Sequence, residues 1–322
     1  MAFTIGLNTS LFTTYLIRKF IPALEKDLQM QRFTTKAMLP PGEGDKGRFN
    51  VFASPAAITT HIGEMSTTAN EVVVTTTPTN CTIREYGQYI KMGRMAELAA
   101  VKGSRDEIAD RLAYSAALTI DGLVYTRAKE TTVEWYAGLS ACLGAGPPST
   151  LSVRDVISAS LEILRAGSAR GFSGVAGHPD DELACIVHPE PEADMVSEAA
   201  TTSNALVWTE IVKYVPGATG QDKPIKGFMG SIYGTACYRS QNIGLTSVTA
   251  TTGGESYDNI IFAEGGVGSV SLEDMDPVIY VNTPSSGDVG NPYRNFGTIA
   301  WHIMYGDALI DANRVVRLYS TK

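Results

Sequence analysis

Apolar residues recur at three- and four-residue steps between Ser104 and Glu130, and this pattern predicts the longest helix of the chain. Ser104 and Glu107 stand at its start with the spacing of a capping box. No proline interrupts the segment, and at about 1.5 Å per residue it forms a rod of roughly 40 Å. We therefore expect the rest of the chain to be arranged around this helix. Its apolar face comprises Ile108, Leu112, Ala116, Ile120 and Leu123.

Charged residues of the same segment are spaced for pairing on a helix surface. Such pairs are usually solvated, and each stabilises a helix by about 0.2–0.5 kcal/mol. We interpret them as surface pairs rather than catalytic groups. The residues concerned are Asp110, Arg111, Asp121 and Arg127.

Residues 11–31 carry an apolar helical stripe that is interrupted at Pro22. A stripe of this kind has to pack against another surface. Either it docks on its own domain, or it lies as an arm across a neighbouring subunit, and the pattern alone does not choose between the two. The stripe comprises Tyr15, Leu16, Phe20, Ile21, Leu24 and Leu28.

From Thr34 to Thr82 the pattern becomes that of extended strands. A turn-forming run at 40–47 precedes an alternating strand at 48–52, and a run of valines and threonines follows at 71–78. Two extended segments joined by a polar middle predict a long two-stranded finger. Since an isolated ribbon is marginally stable, the finger is expected to need a partner surface.

The spacing of Gly42, Gly44 and Gly47 matches a dinucleotide-binding fingerprint. In that fingerprint the glycines follow a strand and open a helix. Here they follow prolines and lead into a strand, so the match does not indicate nucleotide binding.

Beyond the finger the pattern predicts mixed α and β elements. Residues 137–149 are rich in glycine and proline and mark a boundary, after which Ser152 and Asp155 form a second capping box at the start of a helix ending near Gly167. The other expected elements are a strand at Cys81–Met92 before the long helix, a strand at Leu183–Val187, a helix at Glu192–Asn204, a strand at Ser231–Tyr238, and a strand at Asn259–Ala263 that pairs with Val267–Leu272.

The last segment alternates as strands do, over Pro277–Val281 and then Phe296–Tyr319, with Trp301, Ile303 and Tyr305 on one face. We expect it to return to a sheet beside the long helix. The first domain is then discontinuous, with a compact middle domain inserted, and the fold class is α+β.

Composition limits the function further. The 322 residues carry a formal net charge of -8, which argues against a nucleic-acid reader with a broad basic surface. No apolar run is long enough for a membrane span, and the N-terminus lacks the plan of a secretory signal, so we expect a cytoplasmic protein without a membrane partner. The four cysteines are far apart and predict small buried residues rather than disulfides or a thiolate metal site.

One motif points to catalysis. His178-Pro179-Asp180-Asp181-Glu182 resembles the signature of zinc-dependent deacetylases acting on N-acetyl sugars, in which the histidine and second aspartate bind zinc and the first aspartate is the general base. In that family the motif follows an apolar strand near the N-terminus, whereas here it follows a small, polar stretch, and a third ligand has to be His188 or His302. The alternative is a loop with solvated acids. We nominate no catalytic, cofactor-binding or metal-binding residue.

The order of several short motifs along nearly the whole chain resembles the major capsid proteins of tailed bacteriophages. After the arm and the finger come Glu85-Tyr86-Gly87-Gln88-Tyr89 and then Leu118-Thr119-Ile120-Asp121 within the long helix. The chain closes with Gly297-Thr298-Ile299-Ala300-Trp301 and Val315-Val316-Arg317-Leu318. The middle region matches only loosely.

This resemblance implies the Hong Kong 97 fold. Residues 1–36 correspond to the N-terminal arm and 37–80 to the extended loop that overlaps the next subunit. Residues 81–140 and 276–322 correspond to the peripheral domain with its spine helix, and 141–275 to the axial domain.

The resemblance also implies a structural protein rather than an enzyme. Such proteins assemble into pentamers and hexamers of an icosahedral virion shell, made in the host bacterial cytoplasm, which encloses double-stranded DNA without reading its sequence. A portal protein, and in some members scaffolding or decoration proteins, are the other partners. An encapsulin-like compartment shell shares the fold and remains an alternative, as does the zinc deacetylase.

Overall fold

The computed structural model describes residues 18–25, 27–40, 42, 44–52, 74–93, 104–138, 148–165, 170–176, 178–201, 227–247, 255–272, 277–282, 293 and 295–321. Four helices are present in this part of the chain: α1 (residues 18–25), α2 (Ser104–Ala128), α3 (Val153–Arg165) and α4 (Pro189–Thr201). Short 3-10 turns lie at Met30–Phe33 and Ala312–Arg314.

The same residues form fourteen strands. They are β1 (Thr35–Leu39), β2 (Lys46–Phe52), β3 (Thr76–Thr82), β4 (Arg84–Gly93), β5 (Glu134–Tyr136), β6 (Leu183–Val187), β7 (Phe228–Ile232), β8 (Thr235–Arg239), β9 (Leu245–Ser247), β10 (Glu255–Phe262), β11 (Val267–Leu272), β12 (Val278–Asn282), β13 (Phe296–Leu309) and β14 (Val315–Thr321). The fold class is α+β, as predicted.

The strands form two larger sheets and one hairpin. The first sheet has the order β1-β11-β13-β12, with β4 paired along the other side of β13. The second has the order β5-β14-β10-β6-β8-β7, with β9 added to β10. Strands β2 and β3 pair only with each other among the strands described. They form the predicted two-stranded finger.

Helix α2 packs on the first sheet, and its predicted apolar face is largely confirmed. Leu112, Ala116 and Ile120 are buried, together with the small residues Ala113 and Ala117, which let the helix approach its neighbours closely. The helix ends at Ala128, two residues before the predicted end. The side chains of Ser104 and of the next two residues, and with them the predicted capping box, lie outside the described residues.

The second sheet is buried on both faces, because helix α3 covers one side while α1, α2 and the turn after α1 cover the other. Strand β6 is therefore apolar throughout rather than alternating, as sheets covered on both sides require. The capping box of α3 is confirmed: the Asp155 amide donates to Ser152 Oγ at 3.2 Å, and the Ser152 amide donates to Asp155 Oδ2 at 3.1 Å. The predicted stop at Gly167 lies outside the described residues.

One predicted pairing was wrong, and one predicted segment divides between the two sheets. Strand β11 does not pair with β10; it lies in the first sheet, parallel to β1 and antiparallel to β13. The last segment, predicted to return to one sheet beside α2, divides between two: β13 lies in the first sheet, whereas β14 pairs with β10 along seven residues of the second. Both strands were predicted, but a strand pattern does not specify which strand is the neighbour.

Two segments that were each predicted as a single strand are divided between two strands. The segment Ser231–Tyr238 reverses direction at Tyr233 and Gly234, whose φ angles of 46° and 77° form a tight hairpin turn between β7 and β8. The segment Cys81–Met92 is divided at Ile83, so that Cys81 belongs to β3 of the finger and β4 pairs with β13. Helix α4 begins at Pro189, three residues before its predicted start.

Candidate functional site

A buried carboxylate fixes the N-terminal segment to helix α2. Asp121 Oδ2 accepts a hydrogen bond from the backbone N–H of Gln29 at 3.0 Å, and Oδ1 accepts from Met30 at 3.1 Å and Gln31 at 3.3 Å. The side chain is fully buried, so the prediction that Asp121 is a surface residue was wrong. Burial raises the pKa of Asp121 to about 6, against the opposing effect of the three N–H donors.

The segment anchored by Asp121 packs on its own chain. Phe20, Leu24 and Leu28 are buried in the main core, together with Met30 and Phe33. The helix continues through Pro22 without the predicted interruption. For residues 18–33 the first of the two sequence-based alternatives, docking on the same chain, is therefore correct. Residues 1–17 lie outside the described part.

The remaining charged residues of α2 pair at the surface as predicted. Asp110 Oδ2 lies 3.1 Å from Lys19 Nζ, which adds a contact between α1 and α2. Arg111 pairs with Glu107 at 2.8 Å within the helix. Arg127 bridges to Glu130 at 2.6 Å and to Asp307 of β13 at 2.8 Å.

The finger formed by β2 and β3 is attached through its base. Cys81 of β3 is buried against Val270 and Ala308 of the first sheet, and Phe49 of β2 packs at the edge of the same cluster. Close packing depends on Gly268, because a Cβ there would lie 2.7 Å from the Phe49 ring.

Away from its base the finger is exposed. Phe52 is 66% exposed and Val74, just before β3, is 49% exposed. The residues between them, 53–73, lie outside the described part. The glycines at 42, 44 and 47 lead into β2, a strand, as expected for a chance match to the nucleotide fingerprint.

His178 is held inside a structural cluster. Its Nδ1 lies 2.6 Å from the Tyr238 hydroxyl and its Nε2 lies 3.0 Å from the Glu182 carbonyl oxygen. Phe33 and Phe172 contact the imidazole edge-on, and burial lowers the pKa of His178. Both ring nitrogens are therefore engaged by the protein.

The proposed general base, Asp180, and the candidate third zinc ligands, His188 and His302, are dispersed. Asp180 Oδ1 accepts from the Gly174 N–H at 3.2 Å, His188 stacks on Tyr257, and His302 lies on β13 near Glu85. Among the described residues no three His, Cys, Asp or Glu side chains are grouped closely enough to share a metal ion. The geometry gives the deacetylase hypothesis no support.

Sequence reasoning missed a buried ionic cluster between helix α2 and the second sheet. Asp258 of β10 is fully buried and pairs with Lys129 at 2.7 Å and Arg317 at 2.9 Å. The cluster joins the end of α2 to β10 and β14. The available signal was an aspartate two residues before the apolar run Ile260-Ile261-Phe262 of the same strand.

Three cysteines of the described part, Cys81, Cys185 and Cys237, are buried free thiols, as predicted. No helix there combines the length and apolar character that crossing a bilayer requires.

Comparison with known proteins identifies the fold. No protein-family model matches the chain, and no curated protein matches it. Among solved structures, the capsid of Ralstonia phage GP4 is similar with a TM-score of 0.70 at 15% identity, over 92% of this chain and 91% of that one. The acid-stable capsid of Helicobacter pylori bacteriophage KHP30 has a TM-score of 0.63 at 10% identity, over 92% and 91%.

A virus-like particle from Pyrococcus furiosus is also similar, with a TM-score of 0.54 at 12% identity, over 95% of this chain and 99% of that one. The chain therefore has the Hong Kong 97 fold of tailed-phage major capsid proteins, as the motif order predicted.

Proposed function

We propose that this protein is the major capsid protein of a tailed phage and assembles into the pentamers and hexamers of an icosahedral shell around double-stranded DNA. The observation that carries the proposal is the match to phage capsid structures over nine-tenths of both chains. The finger adds to it, because a two-stranded ribbon with exposed Phe52 and Val74 is the kind of element that gains stability from a second subunit.

The domain plan is part of the proposal. Residues 1–36 are the arm, 37–80 the extended loop, 81–140 and 276–322 the peripheral domain, and 141–275 the axial domain. Strand β14 refines this plan, because it belongs to the segment 276–322 of the peripheral domain but pairs with β10 of the axial domain. Shell contacts with other copies, a portal and any scaffolding or decoration proteins are spread over several modest surfaces. The acidic chain encloses DNA without specific readout.

The proposed role is structural, and the proposed location is the virion, after synthesis in the host bacterial cytoplasm. Engagement of both His178 nitrogens argues against the deacetylase. The likeness to capsids of several phages supports a virion.

Electron microscopy of the purified protein, with size-exclusion chromatography, tests the proposal. We expect closed icosahedral particles or capsomers. A monomer or dimer at all salt and protein concentrations would refute a shell function. Double-stranded DNA in particles from infected cells separates the virion from a compartment that encloses cargo enzymes.

A deletion tests the role of the finger. Removing residues 53–73 leaves both β2 and β3 intact, so the subunit is expected to fold with unchanged stability but to form no closed shells. The matched control is Asp110→Asn on α2, which leaves the finger unchanged. Loss of folding in the deletion variant would show that these residues serve their own subunit instead.

A further inference from the structure

Two buried cysteines face each other in the second sheet. Cys185 of β6 and Cys237 of β8 are opposite each other in the parallel pairing of these two strands. Both side chains are fully buried, and both belong to the apolar cluster that the sheet forms with helix α3. Opposite residues on adjacent strands project to the same face of a sheet. The two thiols are therefore neighbours in one core.

The spacing of the strands permits a covalent bond between these cysteines. Adjacent strands lie about 4.8 Å apart, and disulfides join cysteines whose Cα atoms are about 4.4–6.8 Å apart. Both cysteines are free thiols in this structure. The hydrogen bond between the two thiols, together with burial, raises the pKa of Cys237. Since the thiols are already in contact, a bond between the sulfur atoms requires only a small movement.

The remaining described cysteine belongs to a different core. Cys81 lies at the base of the finger and packs on Val270 and Ala308 of the first sheet. Strands β6 and β8 belong to the second sheet. Cys142 lies outside the described residues. Among the thiols that the structure describes, Cys185 therefore has one partner within reach, which is Cys237.

We propose that Cys185 and Cys237 form a disulfide when hydrogen peroxide reaches this core, so that oxidation of the second sheet ends in a reversible cross-link between β6 and β8. The proposed shell function supplies the occasion, because a virion is made in a reducing cytoplasm and is then released into an oxidising medium. The pairing of the thiols needs no second subunit, since both partners belong to one chain.

The reaction consumes one molecule of hydrogen peroxide. One cysteine attacks the peroxide as its thiolate, the O–O bond breaks, and a sulfenic acid and a molecule of water form. The second thiol attacks the sulfenic sulfur, the S–O bond breaks, the S–S bond forms, and a second molecule of water leaves. The two sulfur atoms together lose two electrons to the peroxide, and the two thiol protons leave in the water.

The second thiol protects the core from irreversible oxidation. Without a partner, a sulfenic acid is oxidised further to a sulfinic acid, which places a charge among apolar side chains. Helix α3 closes this core, and Thr235 Oγ1 donates to Ser160 Oγ of α3 at 2.8 Å, two residues before Cys237. We therefore expect the reaction to be slow and to follow local opening of the helix from the sheet.

Peptide mapping by mass spectrometry tests the proposal. Subunits are kept in hydrogen peroxide until Met195, which is buried in the same cluster, begins to form its sulfoxide and so reports entry of peroxide. We expect a peptide pair joined through Cys185 and Cys237 that dithiothreitol separates. In Cys237→Ala the loss of recoverable Cys185 thiol should be several-fold greater than in the matched control Cys81→Ala, which removes a buried thiol of the other sheet.

A disulfide between Cys185 and Cys237 in subunits supports the inference whether or not electron microscopy shows closed particles, so a failure of the shell function is seen separately. Thiols that stay free after Met195 is oxidised, or a disulfide from either cysteine to Cys81 or Cys142, would overturn it. A protein in which neither Met195 nor the thiols react would do the same, because its core admits no peroxide. Equal recovery of Cys185 in the two variants would also overturn it, since the partner thiol would then protect nothing.

Discussion

Replacement of Asp121 by asparagine isolates the effect of a buried charge on stability. In the native protein the carboxylate accepts three backbone N–H bonds, yet burial raises its pKa from 3.8 to about 6. Asparagine keeps the shape and one acceptor oxygen, but it has no charge to lose. The substitution therefore removes the titrating carboxyl group while retaining much of the hydrogen bonding to the backbone of residues 29–31.

The direction of the pH dependence of stability follows from proton binding. Between about pH 4 and pH 6 the native state holds a proton on Asp121 that the unfolded chain has released, so the contribution of this group to stability is complete below about pH 4 and is lost as the pH rises through about 6. A shift of about two pKa units corresponds to about 3 kcal/mol. Relative to Asp121→Asn, the unmodified subunit should lose up to this amount across the window.

Urea unfolding of unassembled subunits, followed by tryptophan fluorescence at several pH values, measures this difference. Asp110→Asn is the matched control, because Asp110 is a partly exposed residue of the same helix paired with Lys19, and its removal should change stability by less than about 1 kcal/mol. If the stability of the unmodified protein relative to the Asp121→Asn variant stays flat, or grows as the pH rises, the reasoning is refuted. The three hydrogen bonds would then outweigh the cost of burying the charge.

Three further substitutions test local features. Ser152→Ala removes the capping box of α3 and should lower the free energy of unfolding by about 1 kcal/mol in urea titrations, with Ser197→Ala on α4 as a control expected to have little effect. Gly234→Ala should lower the free energy of unfolding by about 1–2 kcal/mol. The φ angle of Gly234 is 77° and no neighbouring atom lies within 4 Å of an added Cβ, so only backbone strain contributes. An unchanged melting curve would contradict this. His178→Ala leaves the buried Tyr238 hydroxyl without its partner and should destabilise the subunit by about 2–4 kcal/mol. The zinc content, measured by atomic absorption, should equal that of the unmodified protein. Stoichiometric zinc that is lost on substitution would restore the deacetylase hypothesis.

Local patterns in the sequence predicted elements whose cause is local. Helix α2 follows from its apolar periodicity, and the start of α3 follows from Ser152 and Asp155, which lie in hydrogen-bonding reach as soon as the first turn forms. The buried face of β13, with Trp301, Ile303 and Tyr305, follows from strict alternation. These features need no knowledge of the rest of the chain.

Other features depend on which distant segment is the neighbour. The strand patterns of β11 and β14 are compatible with either sheet, and the partners were decided by how two sheets enclose one core. The turn at Gly234 was missed because the strands on both sides are buried and resemble one apolar run. The division at Ile83 was missed although the apolar positions change there from odd numbers, at Cys81 and Ile83, to even numbers, as at Ile90 and Met92.

The candidate sites also divide into one that the sequence predicted and one that it did not. The finger was predictable, because its two extended segments and turn residues are contiguous in sequence. The role of Asp121 was not, since its donors lie about ninety residues away and only the packed arm brings them to the carboxylate. The sequence by itself determined the helices, the strands and the finger through short-range periodicity. Only the tertiary structure decided strand partners and the buried anchor at Asp121, because burial and pairing are properties of segments that are distant in the chain.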